Sequence, residues 1–249
     1  LEARQSLRRV LLPAPRGVIT DRNGIVLANN KPRFSLIVYL GELRSEFRKE
    51  QIRQVKLARS KNLAVDRVAL QRGAIESVLK EHLKPIERFL NTKISLDLPK
   101  IEKHLFQQPL MPYALLNDLS LNQFARLTEL LRVDAPIQLQ VHSLRTYPEG
   151  STASHVLGFV AMREPEADDS NLRTFSFKEQ VGLNGVEKSF DDTLSGTTGY
   201  ELWLVNPAGF KYERTEHVSA APGKPLQLTI DMRLQRALEK SFGRKIGAT

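Results

Sequence analysis

The chain of 249 residues has no cysteine. That excludes a disulfide framework and a thiolate metal centre, and it leaves the redox compartment open, since an oxidising space is permitted but not required. Tryptophan occurs once and histidine five times, and no pair of histidines stands in His-Glu-x-x-His spacing, so a zinc-hydrolase motif is absent. No apolar run approaches the roughly 20 residues that span a bilayer, and no secretory signal peptide opens the chain. A Gly-x-Ser-x-Gly elbow and a phosphate-cradling glycine loop are also missing. Gly182-x-x-Gly185 is too short for the latter and is followed by Glu187, which would repel phosphate. Asp168-Asp169 and Asp191-Asp192 hold paired carboxylates that suit a divalent cation in principle, but neighbouring carboxylates on a loop or helix are usually solvated. No cofactor is expected.

What is present is a globular composition. Hydrophobic residues make up 41% of the chain, enough to bury the core of one large domain or two small ones. The formal charge is +9, a sign that suits nucleic acid, an anionic membrane surface or an acidic polymer. The first 104 residues hold 22 of the 37 Lys and Arg against 11 of the 28 Asp and Glu, so the excess lies at the front. A basic nucleic-acid-binding protein is the alternative this suggests, although the aromatic-basic interleaving of a stacking platform is lacking. A hydrolase built on Asp191-Asp192 is a third reading.

The chain is organised around Pro15 to Tyr39. Two β-branched runs flank Asn23-Gly24, which predicts a hairpin with a two-residue turn and positive φ at both centres. Asn30 to Pro32 predicts a second turn before a third strand. From about Glu42 the pattern becomes helical and charge-rich. Val68, Leu70, Ile75, Val78, Leu79 and Leu83 recur at helical spacing, and Pro85 should break or restart that helix. Ile94 to Leu98 alternates like a short strand, Pro99 opens a helix to Phe106, and Tyr113 to Leu116 reads as a strand. Ser120 is a plausible N-cap for a helix with Phe124, Leu127, Leu130 and Leu131 on one face.

Ile137 to His142 is the cleanest alternating strand and should return the chain to the first sheet. Tyr147-Pro148-Glu149-Gly150 is turn chemistry, and a short helical stretch follows from Ala153 to Gly158. Glu164 to Ser170 reads as an exposed loop. Gly182 and Gly185 frame a helix with Val186, Phe190 and Leu194 on one face, ending at Gly196. Tyr200 to Val205 and Tyr212 to His217 flank Asn206 to Gly209 as a second strand-turn-strand unit. Leu226 to Ile230 is a further strand, and Met232 to Phe242 a helix.

Pro15-Arg16-Gly17-x-Ile19-x-Asp21-Arg22-Asn23-Gly24, with Leu27-Ala28, resembles the first motif of the non-catalytic N-terminal region of class B penicillin-binding proteins. Arg145-Thr146-Tyr147-Pro148-Glu149-Gly150 and Gly182 to Gly196 match two further motifs in the right order, and Pro222 to Glu239 extends the match. Ala153 to Phe159 and Asn23 look most like the elongation-type branch, with Ser154 standing where alanine is commoner. The resemblance implies an α+β fold, elongated, with a small β-rich anchor sub-domain (residues 15–41 and 137–231) carrying an inserted helical head (42–136). Residues 1–14 would be a juxtamembrane helix, an ordinary amphipathic helix being equally consistent, and 232–249 would start a linker to a transpeptidase domain outside this chain.

The family's catalytic set is Ser-x-x-Lys, Ser-x-Asn and Lys-Thr-Gly. Ser77-Val78-Leu79-Lys80 and Ser120-Leu121-Asn122 match two spellings by chance, and no Lys-Thr-Gly follows, so no catalysis is expected of these residues. The resemblance further implies a pedestal that raises a serine-type transpeptidase toward peptidoglycan, on the periplasmic side of a bacterial inner membrane behind a single-pass anchor. Its partners would be a SEDS-type glycosyltransferase and an MreC-type scaffold, with no nucleic acid. The residues the matched motifs share are Arg16, Gly17, Asp21, Arg22, Gly24, Arg145, Tyr147, Pro148, Gly150, Gly182, Gly185 and Glu187. At least one of Arg16, Arg22 and Arg145 is expected to pair with Glu187.

Overall fold

The computed structural model describes residues 6–62, 66–132, 135–163, 173–205 and 211–242. The loop expected at Glu164 to Ser170, with Asp168-Asp169, and the turn at Asn206 to Gly209 lie outside them. The chain divides into two compact units. So far as they are described, the first is Leu1–Ser6, Arg33–His142 and Val205–Tyr212, and the second Leu7–Pro32, Ser143–Leu204 and Glu213–Thr249.

Three elements open the chain: β1 (Ser6–Leu12), β2 (Ile19–Thr20) and β3 (Val26–Val38). The expected helix over residues 1–14 is therefore corrected, because Ser6–Leu12 is a strand. Its backbone is laddered on both sides, and Val10 is buried at 3% exposure with the Arg9 guanidinium over the Tyr200 ring. The hairpin of β2 and β3 forms as predicted, with Ile19 opposite Ala28. Its turn is different. Only Gly24 has positive φ, at +82°, because the Asp21 carboxylate accepts the N–H groups of Asn23 and Ile25 at 2.8 Å each and shapes a longer loop. The second turn expected at Asn30 to Pro32 does not occur, since β3 runs through it unbroken.

The first unit contains α1 (Arg44–Ser60), α2 (Arg67–Leu90), α3 (Leu98–Gln107), β4 (Tyr113–Leu119), α4 (Leu121–Leu130) and most of β5 (Ile137–Thr146). The N-terminal caps of α2, α3 and α4 have a sequence cause, while Leu43 before α1 supplies no side-chain cap. Asp66 accepts from the amides of Val68 and Ala69, Asp97 from that of Lys100, and Ser120 forms a reciprocal capping box with Gln123. Pro85 does not break α2, whose buried face of Ile75, Val78, Leu79, Leu83 and Ile86 holds the helix through it. Ile94 to Leu98 is not a strand: the Ile94 amide donates to Glu87 Oε1 at 2.8 Å, and Leu98 already begins α3. The unit takes in more than 42–136. The helices bury their apolar faces on Leu36, Val38 and Leu40, so the second half of β3, with β4 antiparallel to it, is part of the same core.

The second unit adds α5 (Ser154–Leu157), β6 (Val160–Arg163), β7 (Arg173–Ser176), β8 (Glu179–Gly182), α6 (Gly185–Ser189), α7 (Asp191–Leu194), most of β9 (Gly199–Val205) and of β10 (Lys211–Val218), β11 (Leu226–Gln227) and α8 (Met232–Phe242). One sheet has the order β10-β9-β1-β7, with β1 parallel to β7. Elsewhere β11 lies parallel to β2, and β6 pairs with β8. Ile19, Leu27, Ala153, Leu157, Leu194 and Met232 share one core. Met232 belongs to that core, and Glu239 Oε1 accepts the Ala153 amide at 2.8 Å, so residues 232–242 are a helix of this unit and not a linker. The predicted single helix after Gly182 is interrupted at Phe190, whose ring is 43% exposed.

Candidate functional site

The matched motifs meet in the second unit. Arg16 stands in the segment between β1 and β2, Arg145 near the end of β5, and Glu187 on the short α6. All three side chains are no more than 1% exposed. Arg16 Nε donates to Glu187 Oε2 at 2.6 Å, and Arg145 Nε donates to Glu187 Oε1 at 2.7 Å, so one carboxylate serves two guanidinium groups. Arg16 also donates to the backbone oxygens of Glu187 at 2.7 Å and Gln180 at 3.2 Å, and its Nη2 is 2.7 Å from Asp191 Oδ1. Two cations and two anions make the network neutral. That balance is what permits burial, because an unpaired charge out of water is costly.

The surrounding groups set the geometry. Arg145 Nη1 donates to the Gly17 oxygen at 2.7 Å, and Asn30 Nδ2 donates to the Arg16 oxygen at 2.5 Å. Arg145 Nη2 is buried and has no hydrogen-bond partner among the described residues. The Tyr147 hydroxyl donates to Glu187 Oε1 at 3.2 Å; burial, and then the charge of Glu187, push its pKa up to about 12, so it stays a neutral donor at every physiological pH. Gly182 passes directly over α6: a Cβ there would lie 2.1 Å from the Glu187 carbonyl oxygen, so only glycine allows that approach.

The other predicted residues divide between this network and a second one. Gly17 supplies the carbonyl that Arg145 reads, while its N–H donates to Leu194 O at 2.8 Å. Pro148 and Gly150 form the turn after Tyr147, closed by Gly150 N–H to Tyr147 O at 3.0 Å. Gly185 starts α6. Asp21, Arg22 and Gly24 stand apart from Glu187. Asp21 is fully buried, and besides the hairpin amides its Oδ2 accepts the Met232 amide at 3.1 Å, pinning the turn to the start of α8. Burial raises its pKa, but the N–H groups of Met232, Ile25 and Asn23 outweigh that and hold it below the usual carboxylate range. Arg22 is exposed and donates through Nε to Thr229 O at 2.6 Å, so it is not a partner of Glu187.

Sequence reasoning misses Asp191, because adjacent carboxylates read as a solvated pair; it is Arg16's second anion and also accepts the Gly182 amide at 2.9 Å. Its place four residues after Glu187 is the available signal. Asn30 and Gln180 are missed too, and nothing local marks them. The Ser-x-x-Lys spelling carries no nucleophile geometry: Lys80 Nζ sits 2.5 Å from Glu76, which engages it.

Residues 11–228 match the family model described as the penicillin-binding protein dimerisation domain. The chain is 25% identical over 238 residues to the peptidoglycan D,D-transpeptidase MrdA of Escherichia coli K12, covering 94% of this chain and 32% of that protein. It is 26% identical to penicillin-binding protein 3 of Bacillus subtilis over 181 residues, covering 72% of this chain and 26% of that one. The chain thus spans about a third of the length of the curated relatives it matches. A solved structure, the complex between PBP2 and MreC from Helicobacter pylori, has the same fold with a TM-score of 0.60 at 23% identity, covering 98% of this chain and 40% of that one.

Proposed function

We propose, from the premise that this chain belongs to the penicillin-binding protein dimerisation domain family, that it is the non-catalytic pedestal of a peptidoglycan D,D-transpeptidase of the penicillin-binding protein 2 type. In this reading the pedestal positions a catalytic domain on the periplasmic side of a bacterial inner membrane. Its partners are an MreC-type scaffold, supported by the fold shared with a PBP2 that was solved in complex with MreC, and a SEDS-type glycosyltransferase. The observation that carries the reading is the convergence of three motifs, far apart in sequence, on one buried and neutral network at Glu187. Such a network has no reacting atom of its own. What it supplies is a fixed relation between the segment before β2, the end of β5 and α6.

Arg16, Gly17, Arg145, Tyr147, Gly182, Gly185 and Glu187 then act as a structural coupling set, with Asp21, Arg22 and Gly24 holding the hairpin to α8. The test is labelling with a fluorescent penicillin. The full-length gene product should take up label stoichiometrically, and residues 1–249 alone should take up none. Labelling of Ser77 in this chain, or none in the full-length product, would overturn the reading.

A further inference from the structure

The outer face of α1 has no role in anything above. With 100° of turn per residue, Arg48, Lys49, Ile52, Lys56 and Arg59 fall within about 100° of arc and extend along about 16 Å of helix. All four cations are exposed, and none makes an ion pair or hydrogen bond with any described residue. The residues of the adjoining segment 63–65 are Leu, Ala and Val, so no acid is hidden there. At the centre of the four stands Ile52, 48% exposed. The acids of the helix are elsewhere and engaged: Glu46 lies 2.8 Å from His82 Nε2, and Glu50 takes the guanidinium of Arg53 at 2.7 Å and the amide of Gln54 at 2.9 Å. The opposite side, with Phe47, packs into the core.

A merely solvated helix has no reason to keep its acids off one face and to set there four cations that are unpaired among the described residues, with an isoleucine at their centre. We infer that this face docks a partner protein through an acidic surface with a small apolar socket, the socket taking Ile52 and the acids ringing it. An apolar centre with a charged rim, in which arginine is favoured, is the anatomy of a protein interface. A lipid surface fits less well, because a helix lying in one needs a broad apolar stripe and this face has a single apolar residue. The other exposed apolar side chain, Leu57, points about 140° away from Ile52. A nucleic acid or other linear polyanion would satisfy the cations but gain nothing from the isoleucine. The inference goes beyond the pedestal reading and stands or falls separately from it.

The experiment uses the full-length gene product in its own cells, with Ser45, which is exposed on the same face, replaced by p-benzoyl-phenylalanine. After irradiation the adduct is mapped by mass spectrometry. The expected result is a protein adduct whose crosslinked segment is acidic. Its yield should fall about tenfold when Arg48, Lys49, Lys56 and Arg59 are changed together to Glu, since four exposed pairs contribute a few tenths of a kcal/mol each. It should fall severalfold with Ile52→Ser. Lys61→Glu with Lys84→Glu, exposed but off the face, should leave it within about twofold. All these sites are exposed, so folding is not at stake. No protein adduct, an adduct to lipid or glycan only, a crosslinked segment without net negative charge, or a yield indifferent to the face charges would each overturn the inference.

Discussion

Replacing Glu187 by Gln changes almost no volume but removes one charge from the centre of the network. Asp191 would then be the one anion left to the two arginines; its side chain is 29% exposed, and of the two it pairs with Arg16 only. A net positive charge remains on two guanidinium groups that are 1% exposed, and the new amide must turn one N–H toward a donor. Breaking a buried pair in this way costs roughly 3 to 5 kcal/mol. The structure makes a sharper statement about pairs of substitutions. Removing Arg145 together with Glu187 leaves Arg16 and Asp191, which balance, so Glu187→Gln with Arg145→Gln should cost less than the two singles summed, by about 2 kcal/mol. Glu187→Gln with Arg22→Gln should be additive within about 0.5 kcal/mol, because Arg22 bonds Thr229 and not the network. Urea unfolding followed by circular dichroism reads all of these, provided the m-values agree. A cost below about 1 kcal/mol for Glu187→Gln, or strict additivity with Arg145, would refute the claim that this carboxylate holds the motifs together.

Three further outcomes follow from neighbouring geometry. The folded pKa of Asp21 lies below its ordinary value of 3.8, so the unfolded chain binds more protons between the two values. Its stabilisation is complete above about pH 4 and is lost as pH falls through the lowered value. Asp21→Asn should therefore flatten the acid limb of the stability curve, and a limb parallel to the parent's would count against the lock. Gly182→Ala meets the Glu187 backbone at 2.1 Å, whereas Gly24→Ala meets nothing within 4 Å and bears only the strain of φ +82°. The former should cost at least 1 to 3 kcal/mol and the latter about 1 kcal/mol, with a reversed order in thermal melts as the adverse result. Amides from Ala74 to Ile86 in α2, where the buried face carries the helix past Pro85, should exchange hydrogen as slowly as those of Leu36 to Val38, and fast exchange there would show the helix is locally open.

What could be read from the residues alone was local. Ser120 announces its helix because a cap needs only a short side chain and the next three amides, whereas the caps at Asp66 and Asp97 showed themselves only in the structure. Ile137 to His142 and the hairpin at Gly24 are legible because strand alternation and positive φ are properties of adjacent residues. The resemblance motifs named Arg16, Arg145 and Glu187 but also Arg22 and not Asp191, and that Glu187 would hold an arginine followed from them. Which arginine, and how many, was decided in three dimensions. Arg16 and Arg145 reach one carboxylate from 171 and 42 residues away, Arg22 goes to a backbone oxygen, and Asp191 completes the balance. A buried charge is tolerated only where the groups around it sum to neutrality, and that sum runs over segments with no short-range relation to one another. The misreadings have the same root. Ser6–Leu12 looks helical until β7 and β9 flank it, Pro85 looks like a break until a buried face holds α2 past it, and Asn30 to Pro32 looks like a turn until β3 is kept extended by the strands paired along it.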